Sequence, residues 1–205
     1  MTSRPAQPLT RQLLFERPLA IIDADGLDAL TMRRLATELG VQAPSLYNHV
    51  SGKDDLLDGA LRVMRAEFRP PSPAPGDWKQ LMAAIFAEYQ RVLSAHPNMM
   101  PLAGRRLPGE SDSGLEYLTS RGFSGDEAVE MWQSLLALTV GFSLFASGHT
   151  PTDTRGLGAP LHERAGQWHD ETFHRALLAV MERYEQARTA GVPEARPDHD
   201  AGGSA

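Results

Sequence analysis

The sequence has no cysteine, no long apolar run and no excess of positive charge. Without cysteine the chain can form neither disulfide bonds nor thiolate metal sites, which is typical of proteins in a reducing cytosol. No uninterrupted apolar run approaches the roughly 18 residues of a membrane span, and no signal-peptide pattern is present. We therefore expect a cytoplasmic protein without a membrane partner.

The net charge of −6 at first argues against nucleic acid as a partner. The charge is unevenly distributed, however. Residues 1–69 hold nine Lys and Arg against nine Asp and Glu, whereas the rest of the chain holds 11 against 17. A neutral N-terminal part can still bind phosphates if its cations cluster on one face. The composition therefore does not exclude DNA binding.

Two short amphipathic helices joined by a tight turn are predicted in residues 31–53, which read TMRRLATELGVQAPSLYNHVSGK. Thr31 is a good N-cap, because its hydroxyl can accept a hydrogen bond from a free amide of the first turn. Apolar residues then recur at spacings of three and four, and Gly40 can end the helix in the left-handed conformation. Pro44 suits the first turn of the next helix, where no amide donor is needed.

The second of these helices, about residues 43–49, leaves a polar surface exposed while Leu46 and Val50 point inward. A Tyr-Asn-His run is usually an ordinary solvated helix face. Because it follows a capped helix and a glycine turn, we interpret it as a recognition helix. Its short polar side chains would read base edges in a major groove.

This segment resembles the helix-turn-helix of the TetR family of transcriptional repressors, over roughly the first third of the chain. The resemblance implies a ligand-responsive repressor rather than an enzyme. It also implies an all-α fold, with a three-helix DNA-binding head and a helical-bundle body for ligand binding and dimerisation. The matching residues are Leu30-Thr31, Arg33-Arg34-Leu35-Ala36, Leu39-Gly40-Val41, Pro44-Ser45-Leu46-Tyr47, His49-Val50, Gly52-Lys53 and Asp55-Leu56-Leu57.

The resemblance also implies which residues touch double-stranded DNA. By register with the family, Arg33 and Lys53 meet phosphates, and Thr31 adds a backbone-phosphate contact. An ordinary solvated lysine in a turn is the competing interpretation of Lys53. Asn48 is suited to adenine, since its amide matches N6 and N7. The expected recognition surface is Ala43, Pro44, Ser45, Tyr47, Asn48 and His49.

Prolines mark the boundary between the two parts of the chain. Residues 1–69 comprise an N-terminal arm over 1–8, the head and a linking fourth helix. The segment 69–76 contains four prolines and is expected to be extended. Residues 77–190 form the ligand-binding and dimerisation domain, and residues 191–205 a disordered tail.

Pro18 complicates the first helix, which is predicted over Leu9–Asp25. Inside a helix proline removes an amide donor and costs about 3 kcal/mol. Either the helix kinks at Arg17, or one segment ends there and Pro18 starts another. The later helices are predicted from about 53 to 68, over 78–95, briefly within 97–109, over 113–121 and 126–148, and from about 163 or 169 to 188.

Residues 126–148 are apolar on nearly every side, so nearly every side must be covered. In the TetR family the last two long helices pair with those of a second subunit, here segments 126–148 and 165–188. The alternative is that both helices complete a monomeric core. A two-fold homodimer places two recognition helices about 34 Å apart, one turn of DNA, and reads a palindromic operator.

The body is expected to enclose a pocket for a small apolar or aromatic effector. The body resembles the tetracycline-repressor branch, which needs a histidine late in helix four and another near residue 100. Segments 65–69 and 98–102 contain none, so we expect neither tetracycline as inducer nor a metal or other cofactor. For each candidate lining residue the competing interpretation is an ordinary residue of the hydrophobic core. The candidates are Trp78, Phe86, Met99, Met100, Leu102, Trp132 and Phe142.

Two other functions compete with this interpretation. The first is a helical metal-dependent enzyme built on His169, Asp170, Glu171 and His174. No third ligand has suitable spacing, so a solvated cluster is the simpler interpretation, and no nucleophile, phosphate-loop or cofactor motif occurs. The second is a DNA-binding module without a ligand. A fully packed body would favour that module, and an open apolar cavity would favour a sensor.

Overall fold

The computed structural model describes residues 9–72, 76–107, 112–147 and 170–190, and every regular element within them is helical. The all-α prediction is confirmed. The elements are α1 Arg11–Asp25, a 3-10 helix Leu27–Ala29, α2 Met32–Leu39, α3 Ala43–Leu46, α4 Lys53–Arg65, α5 Trp78–Ala95, a 3-10 helix Pro97–Leu102, α6 Ser113–Ser120, α7 Gly125–Ala146 and α8 Asp170–Ala190.

α1 is one continuous helix that passes through Pro18, so it is not split there. It starts slightly later than predicted, because Thr10 serves as its N-cap and accepts from Leu13 N at 3.2 Å. The Pro18 ring is buried together with Leu14 and Leu19. Burial of this apolar face offsets the amide hydrogen bond that proline cannot make.

α2 has the caps expected from the sequence, whereas α3 is shorter than predicted. The Thr31 hydroxyl accepts from Arg34 N at 3.1 Å, and Gly40 adopts a left-handed φ of 67°. The prediction of a helix as far as His49 is wrong, since α3 ends at Leu46. The amides of His49 and Val50 both donate to the Leu46 carbonyl, at 2.9 and 3.0 Å. This tight turn ends the helix and carries Val50 into the core.

α4 ends at Arg65 rather than near Phe68, because its last turn tightens. The amides of Glu67 and Phe68 bond three residues back, to Met64 and Arg65, which is the 3-10 pattern of a fraying helix end. The predicted inner face of α4 is buried, and consists of Leu56, Leu57, Ala60, Leu61 and Met64.

Buried apolar side chains form two clusters. The head core includes Leu14, Ile22 and Leu35, and it also takes in Val92 and Met99 from beyond the linker. Head and body are therefore packed directly onto each other. The body core lies between α5, α6, α7 and α8, and its largest members include Phe86, Phe142 and Phe173.

α7 begins with a capping box, in which the side chains of Ser124 and Glu127 each accept from the other's backbone amide. It packs against α5, α6 and α8. By length and composition α7 could also cross a membrane, because its mean hydropathy over 18 residues is 1.3. From the sequence we considered only uninterrupted apolar runs, which did not predict this. Of that stretch 33% is buried, and several of its other apolar residues are half-buried.

Several predictions lie outside the described residues. These are the N-terminal arm, part of the proline-rich linker, the loop between α7 and α8 together with the earliest predicted turns of α8, and the tail.

Candidate nucleic-acid interface and ligand-binding body

The predicted recognition surface stands on a buried base. Leu46 and Val50 are 0% and 4% exposed, which fixes the orientation of α3 and of the turn after it. Tyr47 between them is 57% exposed. A large side chain that is solvent-exposed while the residues around it are fixed in the core is suited to contact a partner. Around it, Pro44, Asn48 and His49 are exposed, and Ala43 and Ser45 are half-buried.

The two neighbouring arginines of α2 differ in their partners. Arg34 Nη2 lies 2.6 Å from Asp25 Oδ2 and 3.8 Å from Glu38 Oε1. Arg33 is exposed, and the described residues offer its guanidinium no ion pair. Arg33 is therefore the arginine of α2 with a charge available to a phosphate.

Lys53 has a structural role that the sequence did not reveal. Its Nζ donates to the Leu27 carbonyl at 3.1 Å, which ties the start of α4 to the 3-10 helix after α1. An ammonium group has three N–H donors, so a phosphate contact is still compatible with this bond. The Thr31 hydroxyl likewise caps α2 as an acceptor and retains its own O–H for a phosphate.

The candidate lining residues of the effector pocket divide between the two clusters. Met99 and Leu102 belong to the head core. Trp78, Phe86, Trp132 and Phe142 belong to the body cluster, and Met100 is buried at 5% exposure. The structure therefore does not gather all seven side chains around one open space.

The aromatic residues of this set pack against other side chains and backbone. Trp132 lies edge-on to Phe86 with ring centroids 5.1 Å apart, and its indole covers the space where Gly114 would carry a β-carbon. Phe142 lies against Phe173 with ring centroids 4.9 Å apart. These contacts are those of a packed core in the ligand-free chain.

Two cavities occur elsewhere on the described surface, and neither is lined by any of the seven residues. One, of about 390 Å³, lies between α1 and α4 and includes Phe15 and Gly59. The other, of about 630 Å³, lies between the linker, α5 and the start of α8, and includes Glu88, Arg91 and Phe173. The predicted lining residues remain a prediction.

The competing metal site is only partly within the described residues. Asp170 and Glu171 are exposed at the start of α8, His174 is half-buried one turn later, and His169 lies outside the described ranges. Among the residues that are described, no group of three His, Asp or Glu is placed to hold a metal ion.

Sequence reasoning missed a set of polar contacts between the head and the body. Arg65 at the end of α4 donates to the carbonyls of Ala103, at 3.2 Å, and Arg105, at 2.7 Å. The Arg105 guanidinium in turn lies 2.7 Å from Asp58 Oδ1. The partners of Arg65 are 38 and 40 residues away along the chain, so no local spacing could indicate them.

The head matches a known family model. Residues 19–60 match the model of bacterial regulatory proteins of the tetR family. An HTH-type transcriptional regulator of Saccharopolyspora erythraea is 37% identical over 127 residues, 59% of this chain and 54% of that protein. The chain thus spans about half the length of this relative.

Similarity extends into the body. The tetracycline repressor protein class A of Escherichia coli, from transposon 1721, is 32% identical over 176 residues, which are 82% of this chain and 78% of that protein. Among solved structures, the TetR family protein ActR of Streptomyces coelicolor in complex with actinorhodin superposes with a TM-score of 0.71 and 26% identity. That match covers 89% of this chain and 99% of the other.

Proposed function

Because this chain belongs to the TetR family of bacterial transcriptional regulators, a family of non-enzymes, we propose that it represses transcription as a homodimer on a palindromic operator. A small apolar or aromatic effector bound to the body would release it from the DNA. The observation that carries this proposal is the exposed Tyr47 on its buried base of Leu46 and Val50.

In this proposal the recognition surface enters the major groove. Asn48 pairs with an adenine, and Ala43 and Pro44 pack on a thymine methyl. Tyr47 and His49 contact phosphate, which positions the head rather than specifying the sequence. Arg33, Lys53 and Thr31 add phosphate contacts around it.

The dimer is proposed to form through α7 and α8. The exposed positions of α7 include the apolar Val129 and Ala137, two turns apart, together with the polar Glu130 and Gln133, and Val140 beside them is half-buried. A second copy of α7 and α8 would cover this face as a four-helix interface. Two recognition helices about 34 Å apart would then fit successive turns of one DNA face.

Control is proposed to act through the spacing of the two heads. An effector shifts the population of conformers through α4, so that the recognition helices no longer match successive major grooves. One relative is named a tetracycline repressor, and the structural neighbour ActR was solved in complex with actinorhodin. Small molecules are thus associated with proteins similar to this one. Here the effector would enter between the two clusters that hold the candidate lining residues.

A DNA-binding module without an effector is the second candidate, because the aromatic side chains of the body pack closely in this structure. A screen of small aromatic molecules that measures release of the protein from its operator separates the two. Release by any compound, at a concentration that leaves the protein folded, supports the sensor. If no compound releases the protein from its operator, the result supports a DNA-binding module without an effector.

The first experiment is binding of the full chain to the DNA upstream of its own gene, titrated against salt. We expect tight, sequence-specific binding that Tyr47→Ala abolishes and Tyr47→Phe weakens less, because Phe keeps the ring but loses the hydroxyl that contacts the phosphate. Lys53→Ala should reduce the salt slope by about one. If neither this DNA nor a genome-wide selection of bound fragments yields a specific site, the proposal is wrong.

A further inference from the structure

A second connection joins the head to the body at the C-terminal end of α1, beside the last turn of α4. His96, between α5 and the 3-10 helix Pro97–Leu102, is 8% exposed. Its Nδ1 lies 2.9 Å from Asp23 Oδ2 and is the donor, because a carboxylate oxygen accepts. Its Nε2 lies 3.2 Å from Glu67 Oε1, an ion-pair distance without the alignment of a hydrogen bond.

Asn98 binds the same end of α1. Its Nδ2 donates to the carbonyl oxygens of Ile22, at 2.9 Å, and Asp23, at 3.1 Å. The Ile22 carbonyl also accepts from the Gly26 amide, whereas the Asp23 carbonyl is one of the last of the helix, which need partners from elsewhere. Asn98 therefore caps α1 from the body side.

Rotation of the head relative to the body would change these contacts. α1 packs along α4 and against the 3-10 helix Pro97–Leu102. If the head rotated with α4, the end of α1 would have to leave Asn98 and His96. The same 3-10 helix carries Met99, Met100 and Leu102, three of the candidate effector contacts. An effector that displaced this short helix would act on Asn98 directly.

We propose that His96 and Asn98 form a latch that fixes the DNA-binding head on the body at α1. His96 is a positioning residue that acts through Asp23, and neither latch residue touches DNA. The inference rests on the proposed homodimeric regulator and adds a second route of control beside α4. When His96 and Asn98 are bound to α1, the latch is closed and fixes one distance between the two heads. When these contacts break, the latch is open and the two heads move independently.

Because the chain has no cysteine, one introduced cysteine can carry a spin label at a single site. Ala20→Cys lies on the exposed side of α1. In the full-length homodimer, pulsed dipolar spectroscopy then measures the distribution of distances between the two heads. The latch variants are Asn98→Ala and His96→Gln. The matched control is His96→Asn, whose amide nitrogen stands at the same number of bonds from the backbone as Nδ1.

We expect Asn98→Ala and His96→Gln to broaden the distance distribution about twofold, because the heads sample more orientations. His96→Asn should keep the narrow distribution, since it retains the donor to Asp23. Hydrogen exchange provides a readout that does not need the dimer. The Gly26 amide, which donates to Ile22 O at 2.7 Å, should exchange about tenfold faster in Asn98→Ala, with α7 amides unchanged.

An unchanged distance distribution in both latch variants would overturn the latch. Faster exchange spread equally over α1, α5 and α7 would do the same, because it would show a merely structural role. A wild-type sample without any dipolar signal would refute the proposed homodimer instead. The Gly26 exchange rates would then decide the latch alone, with unchanged rates in Asn98→Ala counting against it.

Discussion

Phe15 occupies the space that a β-carbon on Gly59 would need, so α1 and α4 meet with an aromatic ring directly against a helix backbone. This contact lies at the wall of the cavity between α1 and α4, and Gly59 itself is buried. It also explains a glycine in the middle of α4, where glycine costs about 1 kcal/mol relative to alanine.

Gly59→Ala is expected to destabilise the head. The added methyl gains helix propensity but forces Phe15 out of its position, and overpacking of this kind costs about 1–3 kcal/mol. Thermal unfolding of the full chain should show the loss. Gly104→Ala is the control, since nothing lies within 4 Å of its β-carbon position and it is outside the proposed dimer helices. Equal stability of Gly59→Ala and wild type would mean that Phe15 moves aside freely.

Arg33→Ala and Arg34→Ala are expected to separate a DNA contact from a structural ion pair. Loss of Arg33, which has no ion pair within the described ranges, should weaken operator binding and reduce the salt slope by about one. Loss of Arg34 should leave that slope unchanged and lower stability by at most about 1 kcal/mol, because its pair with Asp25 is exposed. Salt-titrated binding and thermal unfolding of both variants check this. Equal slopes for the two variants would contradict the assignment.

Acid should weaken the tie between α5 and α8. The Lys79 ammonium, which also bonds Glu182 at 2.7 Å, holds the pKa of the Glu185 carboxyl below its ordinary value of 4.5, with help from the Trp78 indole N–H. A carboxyl whose folded pKa is lowered stabilises the fold fully above the ordinary pKa. That contribution is lost as the pH falls from about 4.5 through the lowered pKa.

Glu185→Gln is therefore expected to be less stable than wild type at pH 7, with a difference that shrinks on acidification below about pH 4.5. Urea unfolding across this range measures it. Glu171→Gln is the control, because Glu171 is exposed on the same helix and has no ion pair among the described residues. A constant difference between Glu185→Gln and wild type at every pH would show that the ion pair does not cause it.

Ala137→Glu is expected to convert the protein to a folded monomer. Ala137 is exposed in the single chain, so the monomer tolerates the larger side chain. In the proposed dimer the carboxylate would be buried without a partner, which costs several kcal/mol. Sedimentation velocity measures the mass, and Ala20→Glu on the head serves as control. A dimer that survives Ala137→Glu would place the interface elsewhere.

Local chemistry in the sequence determined the helical elements and most of their ends. Thr31, Gly40 and Asp77 cap helices because each acts on backbone groups one turn away. The apolar spacing of α4 correctly predicted its buried face. The helix-turn-helix residues indicated the TetR family, which the relatives confirm. The DNA contacts and the effector pocket stay predictions.

Only the tertiary structure decided features whose partners are distant along the chain. Pro18 remains inside α1 because its ring is buried against the core, and no local rule reports that burial. Among the described residues Arg34 has an ion pair and Arg33 has none, since Asp25 of another helix reaches only one of them. His96 meets Asp23 across 73 residues. Sequence spacing specifies helices because their hydrogen bonds are local, whereas the joining of head to body depends on how those helices pack.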